Sequence, residues 1–248
     1  MDTKRFENAM DALNTGHVLE ALSEFDSLAD LASDAQEKGT MLLGQALSLM
    51  HRGLIAEARE RWSRSTACWR NLYTDYIEIV LCALENRREE GISRIREFLS
   101  HRNELFEADD QNLYSDAAER LGYLLFESEQ YAAAIEPFIN AAETAVTEGR
   151  RAEMQLYLGT CYTQVGDFQM AEQALKESLP ANTNDPLWPS VQYQRGRLHF
   201  RQTAYVQAKS SLELCLMTTE ADSDLARNAS DLLAEVERHL PREEKRIS

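Results

Sequence analysis

The sequence predicts an all-α chain: an α-solenoid of about six helical hairpins closed by one C-terminal helix. Three observations predict it. Small residues recur at Ala21, Ala58, Gly91, Ala134, Ala171 and Ala208, at intervals of 37, 33, 43, 37 and 37 residues. Four residues after each stands a large apolar one, Phe25, Trp62, Ile95, Phe138, Leu175 and Leu212, the spacing that puts both on one helix face. Only 10 Gly and 5 Pro occur in 248 residues, and none of the prolines precedes Pro137, which favours helices over many short strands. With 44% hydrophobic residues the chain has the means to bury a sizeable core.

The clearest unit runs from Leu158 to Leu175. Leu158, Cys161, Tyr162 and Val165 share a helix face, and Gly159 offers no side chain, so a second helix can approach there. Gly166 suits the left-handed end of that helix and Asp167 the start of the next. Phe168, Ala171, Ala174 and Leu175 make the facing stripe. A lone hairpin of this size cannot bury its apolar face, so it needs stacked neighbours. These residues resemble a tetratricopeptide repeat: Leu-Gly, an aromatic three residues after the Gly, a Gly-Asp-aromatic turn, then Ala and a large residue four later. The resemblance covers about Thr3 to Leu240 and implies a right-handed α-solenoid.

In chain order, the hairpins are expected at about 2–38, 39–71, 72–114, 115–151, 152–188 and 189–222. Their close-contact residues are Ala9, Ala46, Ile79, Gly122, Gly159 and Gly196, and their turn residues Val18, Ile55, Arg88, Tyr131, Phe168 and Tyr205. The third matches least, with Ile79 where a small residue is expected and Arg88 where an apolar one is. A stretch over 103–110 lengthens the connection after it and is the expected place for a bend. Asp222-Ser223-Asp224 reads as a helix start, and Leu225, Ala229, Leu232, Leu233, Val236 and Leu240 form the stripe of a capping helix over 223–240. Thirteen helices are expected in one domain spanning 1–240, followed by a charged, disordered tail over 241–248.

Several function classes lack support. There is no phosphate-cradling Gly loop, H-E-x-x-H or nucleophile elbow. His17, His51, His101, His199 and His239 are scattered, so no metal site, cofactor or catalytic set is expected and the chain reads as no enzyme. Cys68, Cys82, Cys161 and Cys215 read as free thiols acting as small core residues. A formal net charge of -16 opposes nucleic-acid binding. No apolar run suffices for membrane insertion, and the charged N-terminus points to the cytoplasm. The stretch His51–Arg102 is different, with ten Arg against eight Asp and Glu. It reads either as solvated faces paired with nearby Glu or as a docking patch for an acidic partner or a second copy.

The resemblance implies protein or peptide partners held on the concave face made by first helices. It places Tyr76, Glu119, Tyr123, Phe126, Thr160, Tyr193, Arg197, Phe200 and Arg201 on that face. The family's clamp for a terminal carboxylate is missing, because Phe6, Met10, Leu43 and Leu47 stand at its positions and Lys4 and Asn8 are out of register. The expected function is a scaffold or adaptor binding an apolar segment with an acidic flank. Homo-oligomeric self-assembly and a ligand-sensing regulatory subunit are the alternatives. Aromatic residues at helical spacing also suit packing between hairpins, and Leu43, Leu47 and Met50 read as packing or as a homodimer surface.

Overall fold

The computed structural model describes residues 2–107 and 110–240; the tail over 241–248, expected to be disordered, lies outside them. The chain divides into two compact units, Met1–Asp109 and Asp110–Ser248. Unit one holds α1 (Thr3–Asn14), α2 (Val18–Leu31), α3 (Ala35–His51), α4 (Ile55–Cys68), α5 (Leu72–Leu84), α6 (Arg88–Leu99) and α7 (Arg102–Glu107). Unit two holds α8 (Gln111–Glu127), α9 (Tyr131–Glu143), α10 (Glu148–Val165), α11 (Phe168–Glu177), α12 (Trp188–Arg201), α13 (Tyr205–Thr218) and α14 (Asp224–His239). That makes fourteen helices among the described residues, one more than expected. The extra one, α7, occupies the lengthened connection, where His101 N–H bonds the Phe98 carbonyl and Leu105 N–H the His101 carbonyl, both at 3.1 Å. None of the described helices is long and apolar enough to cross a membrane.

The second helices α2, α4, α6, α9, α11 and α13 begin at the six predicted turn residues. Every turn before them has one residue with positive φ: Gly16, Gly53, Asn86, Glu129, Gly166 and Thr203, between 57° and 89°. The next residue in each turn, His17, Leu54, Arg87, Gln130, Asp167 or Ala204, donates its N–H to the carbonyl five residues back at 2.8–3.0 Å. This bond satisfies a carbonyl orphaned at the end of the first helix. Asn86 obeys the same geometry, so the third hairpin keeps its predicted register despite Ile79 and Arg88.

Side-chain caps start six helices: Asp2, Asp34, Asn71, Thr147, Asp167 and Ser223 each accept the N–H three residues on, at 2.8–3.2 Å.

The small residues are where the helices touch. A Cβ built on Gly122 would lie 2.6 Å from Phe138, one on Gly159 2.5 Å from Leu175, and one on Gly196 2.7 Å from Leu212. Each glycine thus receives the large residue of its own hairpin. Phe25 instead meets Gly44 of the next hairpin, where a Cβ would lie 2.6 Å away. Unit one's core gathers Phe25, Leu28 and Met41, then Leu43, Leu49, Ile77 and Leu81. In unit two one cluster joins Leu156, Leu175, Val191 and Leu198, and another seats α14 through Ala229, Val236 and Leu240. Cys82, Cys161 and Cys215 are fully buried and all four thiols are free. Burial pushes the Cys161 thiol up to about 12, which makes it an inert core group.

The third hairpin is held differently. Arg59 of α4 grips Glu85, the C-cap of α5, through Nη2 at 2.6 Å and Nε at 3.0 Å. Its Nη1 lies 3.9 Å from Glu78, which Arg94 of α6 approaches at 3.4 Å. Trp62 Nε1 donates to the Thr74 carbonyl at 2.8 Å, with the Arg59 guanidinium 5.1 Å from its ring centre. Where the small-residue contact fades, a charged network ties three consecutive helices.

Candidate functional site

Most of the residues expected on the first-helix face lie on α8, α10 and α12 of unit two. Tyr123 and Phe126 of α8 converge with Phe138 of α9 and Tyr157 of α10. Tyr157 stands 4.9 Å from Tyr123, 5.2 Å from Phe126 and 5.2 Å from Phe138, ring centre to ring centre. Phe138 is fully buried, whereas Tyr123, Phe126 and Tyr157 are half-buried. They pack consecutive hairpins and remain partly open to solvent.

A polar rim borders these rings. Glu119 accepts from Arg150 Nε at 2.5 Å, and Arg150 Nη2 lies 3.5 Å from Asp116. The Tyr123 hydroxyl donates to Glu153 Oε1 at 3.2 Å. Burial, then the charges of Glu119 and Glu153, raise the Tyr123 phenol above its ordinary 10.0, and burial with Glu153 raises Tyr157. A phenol whose folded pKa is raised keeps its proton in the folded state while the unfolded chain loses it. Stability is thus in place below pH 10 and lost as pH climbs above it. Tyr123→Phe is expected to flatten this alkaline loss in thermal melts between pH 8 and 11. Equal slopes would mean that Tyr123 does not titrate there.

On α12 the Arg197 guanidinium sits 5.9 Å from the Tyr193 ring centre and donates to Gln194 Oε1 at 3.1 Å. Arg201 reaches back to α10, donating to Gln164 Oε1 at 2.9 Å. Neither arginine meets a carboxylate among the described residues. An Arg bonded only to neutral amides keeps most of its charge available to an anion.

Three expected site residues stand elsewhere. Thr160 is 4% exposed and its hydroxyl donates to the Leu156 carbonyl at 2.9 Å, so it is interior to the unit. Phe200 turns toward Tyr205 and His239, at 5.9 and 6.0 Å, and packs beneath the cap. Tyr76 belongs to unit one, where its ring meets Phe98 at 5.9 Å. Tyr157, Arg150, Glu153 and Gln164 complete the site. Arg150, Glu153 and Tyr157 were not foreseen. Tyr157 stands 34 residues after Tyr123, three short of the 37-residue interval between these hairpins, so the repeat pattern did not mark it.

The Arg-rich stretch is largely neutralised by its own neighbours. Arg70 pairs with Asp75 at 2.8 Å, Arg87 with Glu85 at 3.0 Å and with Glu90, and Arg94 with Glu97 at 3.3 Å. Leu43 is buried, and Leu47 and Met50 pack against it with Ile77 and Leu81.

Known proteins resemble the chain in repeat and fold. A family model described as Tetratricopeptide repeat matches residues 119–186. No curated protein sequence matches the chain. Among solved structures, the apo form of RapI is similar at 10% identity, over 97% of this chain and 71% of that one, with a TM-score of 0.70. The apo form of the quorum sensor NprR from B. thuringiensis is similar at 15% identity, over 98% and 73%, with a TM-score of 0.59. MamA from Desulfovibrio magneticus RS-1 is similar at 14% identity, over 85% and 97%, with a TM-score of 0.53.

Proposed function

We propose that the chain, whose residues 119–186 match a tetratricopeptide-repeat model, is a non-enzymatic interaction scaffold whose unit two takes a peptide or helix of a partner protein. The observation that carries this reading is the pair Arg197 and Arg201, which bond only neutral amide oxygens beside half-buried aromatic rings. Aromatic residues and Arg are the types enriched where proteins bind partners. Tyr123, Phe126, Tyr157 and Tyr193 supply apolar contact, and the two arginines orient an acidic flank.

Selection from a displayed library of random dodecapeptides tests it, wild type beside Arg197→Glu/Arg201→Glu. Both side chains reach solvent and neither holds an ion pair, so helicity is expected to be unchanged. Wild type is expected to enrich peptides that the variant retains at least tenfold less. Equal enrichment by both proteins, or none by wild type, would overturn the reading.

A further inference from the structure

At the end of the fifth hairpin away from the Gly166 turn, α10 starts and α11 stops. There residues 178–187, which join α11 to α12, are tied by their own bonds. Leu187 N–H bonds the Asp185 carboxylate at 2.8 Å, Trp188 N–H the Asp185 carbonyl at 3.0 Å and Asp185 N–H the Asn182 carbonyl at 3.1 Å. Between this connection and the first turns of α10 lies an open cleft of about 760 Å³. Ala152, Leu179, Pro180, Ala181, Pro186 and Leu187 give it apolar sides. Glu148, Glu153, Glu177 and Asp185 share the lining with one cation, Arg151, which donates to the Ala142 carbonyl at 3.4 Å. The partners of these carboxylates are neutral. The Tyr123 hydroxyl donates to Glu153 at 3.2 Å and the Gln173 amide to Glu177 at 3.0 Å, and none of the four is ion-paired among the described residues.

A groove with apolar sides and uncompensated carboxylates complements aliphatic stems that end in positive charge, the form of lysine and arginine side chains. Among the described residues no three His, Cys, Asp or Glu are placed to hold one metal ion. The carboxylates therefore suit several separate cationic groups rather than a single ion. We propose that this cleft is a second docking site of the scaffold, for a partner segment that carries neighbouring lysines or arginines. Their stems cover Leu179, Pro180, Pro186 and Leu187, and their charged ends meet Glu148, Glu153, Glu177 and Asp185. The connection is already closed by its own backbone bonds, so little order is lost when a segment docks. Neither Arg197 nor Arg201 lines the cleft, and the proposal rests on the reading above only in taking the occupant to be a protein.

Fluorescence anisotropy of the full chain with a capped Ala-Lys-Leu-Lys-Lys-Ala peptide tests it at low salt, where charges are least screened. The comparison peptide has Gln in place of every lysine. The lysine peptide is expected to bind at least tenfold tighter, and Glu148→Gln/Glu177→Gln to shrink that ratio below threefold. Because the whole chain carries a formal net charge of -16, Asp231→Asn/Glu235→Gln on α14 removes equal charge outside the cleft and is expected to leave the ratio above fivefold. All four side chains are exposed, and circular dichroism checks each fold. No preference for the lysine peptide overturns the proposal. So does an equal loss with both variants, which would assign the preference to net charge. Spermidine that displaces the labelled peptide as well as unlabelled peptide does would assign the cleft to a free polyamine and also overturn it. Library selection that depends on Arg197 and Arg201, beside lysine binding that ignores the cleft variant, overturns this second site alone. The reverse pair of results overturns only the parent reading.

Discussion

Gly159→Val is expected to lower the stability of unit two by about 3 kcal/mol, the upper part of the usual range for overpacking. A Cβ at 159 would fall 2.5 Å from Leu175 Cγ and 3.3 Å from the Leu175 backbone nitrogen. The side-chain atom can swing away, but the backbone atom cannot, so α10 and α11 must part. Leu175→Ala alone is expected to cost about 2–5 kcal/mol, because Leu175 is fully buried. In the double mutant the valine fills the space the leucine vacates, and the loss falls short of the sum by more than about 1 kcal/mol. Denaturant titration of the four proteins measures this. Additive losses would mean that the two residues do not share one space. Gly149→Ala is the control: its Cβ meets nothing within 4 Å, and stability is expected to hold or rise slightly.

Arg59→Met is expected to cost unit one about 2–3 kcal/mol, somewhat below what breaking a fully buried ion pair costs. Arg59 is 21% exposed in its side chain, and its loss strips Glu85 of a two-point partner and Trp62 of its stacked cation. Glu78, 7% exposed in its side chain, is left with Arg94. Burial raises the Glu78 carboxyl above its ordinary 4.5 even with Arg94 and Arg59 nearby. The folded state therefore takes up that proton more readily than the unfolded chain. The sign follows: ionised Glu78 costs stability at neutral pH, and the cost shrinks as pH falls toward the raised pKa. The Arg59→Met protein is expected to recover part of its loss at pH 5, or with Glu78→Gln at pH 7. Denaturant midpoints at the two pH values check this, and a deeper loss at pH 5 would assign the main role to Glu85 instead.

These two sites show what the sequence could and could not disclose. Gly159 and Leu175 were legible because they lie 16 residues apart in one hairpin, and local spacing governs their meeting. The start of each second helix was legible for the same reason, even at Arg88. The Arg59–Glu78–Arg94 network joins different hairpins, and a charge count over residues 51–102 finds the arginines without finding their partners. Thr160 and Phe200 fail alike. Both hold groove positions in the repeat pattern, but the Leu156 carbonyl satisfies one and α14 covers the other. Tyr157 was missed because its contacts with Tyr123 and Phe126 depend on how far neighbouring hairpins are staggered, which no single repeat records.

The turn geometry also bears on how the chain reaches its fold. Each of the six turns closes with a bond only five residues long, and each glycine-to-core contact of α8–α13 closes within its own hairpin. Structure built from such near neighbours has low contact order, which sets fast folding, and a repeat chain can nucleate in any hairpin and spread from it. A hairpin leaving the ribosome already holds both halves of its turn bond, so folding can keep pace with synthesis, the N-terminal hairpins first.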